Sequence, residues 1–176
     1  MTLSALARRF ALTTAVAATI GIIPATSGST PAPGAGATSP SGAASDEAAL
    51  RARHARVIQA HRESNPDMLC EDVSPDFVQA NRGEIKRPTI EERRARFAAY
   101  LGSTIFEEYR DLVEPIVHVS KDGTLGWVIV QVKARGVQTT ETGAKEPLEF
   151  VSAWIELYEK RDGRWLAAGN VSNFKP

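Results

Sequence analysis

The chain has 176 residues, with 21 Lys and Arg against 21 Asp and Glu, three His and one Cys. Arg8 and Arg9 are the only charges before Asp46, so the remainder holds 19 basic and 21 acidic side chains, a net charge of −2 that offers no electrostatic footprint for a phosphate backbone. A single cysteine, Cys70, excludes an internal disulfide and a cysteine zinc cluster, and reads as a small buried apolar side chain.

Met1 to Phe10 carries the two arginines, Ala11 to Ile23 is uncharged and apolar, and Pro24-Ala25-Thr26-Ser27 supplies small residues for cleavage. That order predicts a secretory signal peptide over residues 1–27. Its apolar run falls short of the ~20 residues that cross a bilayer, so after signal removal no membrane association is expected, and the signal predicts a periplasmic or secreted protein. Arg8-Arg9-Phe10 places its aromatic residue one position early for a twin-arginine signal. Residues 28–45 contain only Ser, Thr, Pro, Ala and Gly, with nothing large and apolar to offset the entropy of ordering, and read as a disordered tether. Residues 46–176 are then the folded domain.

Ser45 is placed to cap a helix whose first turn holds Asp46 and Glu47. Leu50, His54, Val57, Ile58 and His61 recur at helical spacing and predict a buried stripe from Asp46 to about Arg62. The seven-residue separation of the two histidines is not the i, i+4 spacing with which one helix chelates a metal, so both read as core or rim groups. Asn65-Pro66 opens a short second helix through Met68, Leu69 and Cys70 that Ser74-Pro75 ends. Asn81-Arg82-Gly83-Glu84 is a turn, and Thr89-x-x-Glu92 is a capping box for a third helix with Ile90, Phe97 and Leu101 on its face and Gly102 at its end.

From Phe106 the period changes to two, predicting strands over Ile116–Val119, Leu125–Lys133, Leu148–Tyr158 and Trp165–Phe174, with tight turns at Asp122-Gly123 and Asp162-Gly163. Gly136 to Glu146 reads as a mobile loop near a pocket entrance. Val128, Val130, Val132, Val151, Ala153, Ile155 and Leu157 form one aliphatic set, expected to face the helices. Trp127, Gln131, Lys133, Trp154, Glu156 and Tyr158 alternate with them. Each tryptophan offers ~150–250 Å², so Trp127 and Trp154 are expected to be covered, first of all by a second subunit.

Helices followed by a bent antiparallel sheet, with Ser74-Pro75-Asp76-Phe77-Val78 after the second helix and Tyr158-Glu159-Lys160-Arg161-Asp162-Gly163-Arg164-Trp165 near the end, resemble the SnoaL-like branch of the nuclear transport factor 2-like superfamily. The resemblance covers Asp46 to Pro176. It implies an α+β fold, a cone-shaped domain with three N-terminal helices packed on a strongly bent antiparallel sheet. It also implies an apolar pocket inside the cone and pairing through the outer sheet surface. Fold alone leaves the chemistry open, because the same cone serves enzymes and noncatalytic domains.

Continuing the inner register gives Ala167, Gly169, Val171 and Asn173 on the last strand, where similar proteins that carry a histidine have it near the middle; its absence here counts against acid-base catalysis. The pocket is expected to draw on His61, Phe77, Tyr100, Ile155 and Asn173. His118 reads as a solvent-facing strand residue and Asp76 as a turn residue. No Gly-x-Ser-x-Gly elbow and no phosphate-cradling glycine loop occurs, and no cofactor or metal is expected. The leading expectation is an exported homodimeric domain that binds a small apolar molecule. A cofactor-independent lyase or isomerase, with His61 or Asp76 as base and Tyr100 steadying an oxyanion, is the alternative. A noncatalytic partner-docking module using the Trp127 and Trp154 face is the third.

Overall fold

A computed structural model describes residues 40–81 and 83–175. The expected signal peptide and the tether up to residue 39 lie outside the described residues. The elements are α1 (Pro40–Arg62), a 3-10 turn (Met68–Cys70), β1 (Val73–Asn81), β2 (Glu84–Lys86), α2 (Ile90–Gly102), β3 (Thr104–Asp111), β4 (Ile116–Val119), β5 (Leu125–Thr139), β6 (Lys145–Arg161) and β7 (Arg164–Lys175). Seven strands form one curved, unclosed sheet in the order β2-β1-β7-β6-β5-β3, with β4 paired to β5 beside β3. All pairings are antiparallel except β1 with β7.

Three helices were expected, and there are two α-helices among the described residues. The segment after Asn65-Pro66 tightens into a single 3-10 turn, although Asn65 Oδ1 does accept from the backbone N–H groups of Asp67 and Met68. Val73–Asn81 continues as a strand, with Pro75 lying where the pairing to β7 is interrupted between Val73 and Val78, so its missing N–H costs no ladder bond there. Helix α1 begins at Pro40, so Pro40–Ser45 belong to it, not to the tether, and Ser45 lies inside it instead of capping it. Proline suits a first helical position and Ala43 and Ala44 are strong helix formers.

The stripe on α1 packs as its spacing predicts. Leu50 joins Val128, Val130, Tyr158 and Trp165 in one core cluster, and Ile58 joins Tyr109, Val132 and Ala134 in another. Each aliphatic side chain fully buried here contributes about 1.5–3 kcal/mol. Asp46 is buried and accepts from Trp165 Nε1 at 3.0 Å and Lys160 Nζ at 2.5 Å, tying the start of the helix to the last hairpin. Helix α2 starts with the capping box: Thr89 accepts from Glu92 N–H and Glu92 accepts from Thr89 N–H.

Most of the segment expected to be a loop is strand. β5 and β6 pair from Leu125↔Glu159 to Thr139↔Lys145, leaving only Thr140–Ala144 as the turn. Gly136 permits this extension, because a Cβ there would lie 2.1 Å from the Ile105 carbonyl oxygen on β3.

Register also decides which faces point inward. On β5 the inner set is Val128, Val130 and Val132, as expected, and the longer strand adds Ala134. Those valines sit opposite Glu156, Trp154 and Ser152 on β6, so Phe150, Ser152, Trp154, Glu156 and Tyr158 face inward while Val151, Ala153, Ile155 and Leu157 face outward. This reverses the expected sense of β6. A bulge at Ala168 then resets β7: Tyr158 pairs with Ala167 and Leu157 with Gly169, which turns Asn170 and Ser172 inward and Val171 outward.

Candidate ligand cavity

The concave face of the sheet, α1, the 3-10 turn and α2 line a cavity of about 280 Å³. Met68, Leu69, Val57, Phe77, Phe97 and Tyr100 supply an apolar and aromatic wall, and Ser152, Trp154, Glu156 and Asn170 a more polar one. His61, Phe77 and Tyr100, three of the expected pocket residues, line it together. Ile155 does not: it is on the outer face, between Ile129 of β5 and Val171 of β7. The side chain of Asn173 lies outside the described residues, and its backbone pairs with Ala153. Of the two tryptophans assigned to an interface, Trp127 is on the outer face beside His118, ring centres 4.3 Å apart and planes tilted by 31°. Trp154 is on the cavity wall, because inverting β6 carries it inside. Asp76 is exposed and accepts from Arg161 at 2.7 Å, away from the cavity lining.

His61 belongs to the last turn of α1 and lies flat against Tyr109, ring centres 4.1 Å apart, with Tyr100 and Phe106 edge-on at 6.1 and 6.0 Å. Its Nδ1–H donates to the Val57 carbonyl at 2.7 Å; a carbonyl can only accept, so Nε2 carries the lone pair. Burial lowers the imidazole to about 4, leaving it neutral near pH 7. Burial also raises the Tyr100 phenol to about 12, so it keeps its proton.

Glu156 is 7% exposed and surrounded by donors. Its Oε1 takes hydrogen bonds from His54 Nδ1 at 3.0 Å and Trp154 Nε1 at 2.8 Å, and its Oε2 one from Tyr158 O–H at 2.8 Å. Burial alone would raise this carboxyl, but the donors outweigh it and hold it below the usual carboxylate range. His54 Nε2 meets Asp111 Oδ1 at 2.9 Å. Burial opposes its charging, and the two carboxylates together overcome that and raise it. The result is an imidazolium clamped between β3 and β6, behind the cavity wall. The Cys70 thiol is buried and raised by that burial, which keeps it protonated and unreactive.

Four arginines line the same cavity. Arg53 is matched to Asp72 and Arg56 to Glu71. Arg93 and Arg96 pair with no carboxylate among the described residues; Arg93 donates to the Leu69 carbonyl and Arg96 to Gln79 Oε1. Sequence reading passed over both, although Arg93 stands at helical spacing with Ile90, Phe97 and Tyr100, and a cation on an apolar stripe is a readable signal. No group of His, Cys, Asp and Glu suited to a metal occurs among the described residues, nor a helix long and apolar enough to cross a membrane.

The architecture matches solved structures. A protein with a cystatin-like fold from Caulobacter vibrioides superposes with a TM-score of 0.60 at 17% identity, covering 75% of this chain and 91% of that one. A type 2 hexachlorocyclohexane dehydrochlorinase gives 0.60 at 13% identity over 76% and 87%. A nuclear transport factor 2-like superfamily protein from Salmonella enterica gives 0.57 at 11% identity over 76% and 93%. No protein-family model and no curated protein matches the sequence. The chain has the nuclear transport factor 2-like fold, and likeness at these identities is a likeness of fold.

Proposed function

We propose that this chain is an exported small-molecule-binding domain that holds its ligand between α2 and the concave face of the sheet and pairs with a second copy through the convex face. The observation that carries the binding role is the state of Glu156 and His61, two of the titratable groups that line the cavity. Glu156 is saturated by three donors, and His61 is a weak base with a value of about 4. Proton transfer at neutral pH calls for a group poised near 7, whereas an aromatic-lined hollow with scattered polar groups suits retention of a small molecule.

Export rests on the order of charge, apolar run and small residues in 1–27. Pairing rests on the outer face, where Ile116, Ile129, Leu157 and Val171 are exposed around Trp127.

Screening the domain from Pro40 against a library of small metabolites by thermal shift tests the binding role. A compound at a hundredfold excess over its Kd adds about 2.7 kcal/mol of stability. A stabilising compound should lose its effect in Val57→Trp, which puts an indole into the cavity. Stabilisation of both forms alike would place binding elsewhere.

A second reading is favoured by one observation: the bare Nε2 of His61 near the protonated Tyr100 is a base and a hydrogen-bond donor in one hollow. In that lyase or isomerase reading His61 takes the proton and Tyr100 steadies the oxyanion. Turnover that survives His61→Gln would remove it.

A further inference from the structure

Arg93 is a buried cation without a buried anion. The residue is 8% exposed, its guanidinium carbon lies 3.9 Å from the centre of the Phe77 ring and 5.3 Å from that of Phe97, and its guanidinium donates to the Leu69 carbonyl at 3.3 Å. Its Nε is buried with no partner among the described residues. Stacking on two aromatic faces compensates part of the desolvation, and does nothing for the in-plane Nε–H. Burial lowers Arg93 to about 10, so it stays charged at neutral pH. Removing an ion from water costs several kcal/mol unless an opposite charge meets it.

Arg96 follows one turn later and lines the same cavity, its guanidinium carbon 5.0 Å from the centre of the Phe97 ring. The contrast with Arg53 and Arg56, each matched to an acidic residue beside the 3-10 turn, makes these two the cavity's unmatched positive charge among the described residues. The facing wall carries Glu156, whose negative charge disfavours a ligand with two negative charges.

We propose that the cavity recognises a small organic carboxylate, with the carboxylate received by Arg93 and Arg96 and an aryl or branched alkyl body laid against Phe77, Phe97, Tyr100 and Met68. Arginine presents parallel N–H donors that match a carboxylate bidentately. A volume of about 280 Å³ is at the lower end of the range for small-molecule pockets, which restricts the body to one ring or a short branched chain. This inference rests on the cavity being the ligand site.

The test uses a panel of aryl and branched alkyl carboxylates, benzoate, phenylacetate, 3-phenylpropanoate and 4-methylpentanoate, each with its neutral primary amide. Binding to the domain from Pro40 is followed by calorimetry and by the arginine Nε–H resonances. A carboxylate should bind roughly ten- to hundredfold more tightly than its amide, the span expected of a charge-assisted hydrogen bond, and should shift the Arg93 Nε–H signal. Arg93→Met should weaken carboxylate binding by roughly ten- to hundredfold and so abolish the preference over the amide. If Arg93→Met fails to fold, Arg96→Gln should still reduce the preference, and the resonance shift in the unsubstituted chain stands by itself. Acid and amide binding alike overturns the anion site and leaves the cavity reading intact. If neither set binds at millimolar concentration, both readings fall.

Discussion

His54 Nδ1 and Glu156 Oε1, 102 residues apart in sequence, meet at 3.0 Å inside the fold, and the other face of the same imidazole meets Asp111 at 2.9 Å. One side chain of α1 therefore closes the helix onto two strands of the sheet. His54→Leu would leave Glu156 buried without its cation. Breaking a buried pair in this way costs about 3–5 kcal/mol, and the loss should be seen as a lower urea midpoint with an unchanged slope.

The two histidines of α1 give stability opposite dependences on pH. His61 has a folded value of about 4 against 6.5 unfolded, so the unfolded chain binds the proton first and stability falls as pH drops from 6.5 toward 4. The size is about 3 kcal/mol. His54 is raised, so its contribution is complete below 6.5 and is lost as pH climbs through its folded value. Between them they predict a maximum near pH 6.5. Glu156, lowered in the fold, adds a further loss as pH falls below 4.5. Urea titrations at a series of pH values check this, and His61→Phe should flatten the slope between 6.5 and 4.5 while leaving the alkaline side unchanged.

The convex face should hold a second copy. Ile129, Ile155 and Val171 form a row across β5, β6 and β7, and two of them are exposed large apolar groups. Sedimentation velocity of the domain from Pro40 should show a dimer at micromolar concentration, and Ile129→Lys should yield a folded monomer. A monomer at high micromolar concentration before any substitution would remove the dimer.

Helix α2 carries Arg93, so its start matters to the site. Thr89→Ala removes the acceptor for the Glu92 N–H and should cost about 1 kcal/mol. Urea unfolding measures this directly.

Much of the fold could be read in advance from particular residues. Leu50, His54, Ile58 and His61 gave α1 its buried stripe, Thr89 and Glu92 the start of α2, and Asp162-Gly163 the last turn, with both residues at positive φ. β3 lacks a clean alternation because of the irregularity between Phe106 and Glu108, and β2 is three exposed residues, so neither stood out. β6 was read with the wrong sense because both of its faces carry apolar residues. Alternation defines two faces and does not say which is inside; pairing of Val130 with Trp154 does. The same reversal hid Glu156 and Trp154 from the site and put Ile155 into it. His61 was legible because it lies on the α1 stripe, whereas β1, which carries Phe77, did not stand out as a strand.

Extraction of protein purified from its native compartment, followed by mass spectrometry of what is released on unfolding, tests the central claim most directly. A near-stoichiometric small molecule, held by the unsubstituted chain and absent from Val57→Trp, is the expected result. A chain that releases nothing, or releases the same molecule from both forms, would contradict the assignment of this cavity as the ligand site.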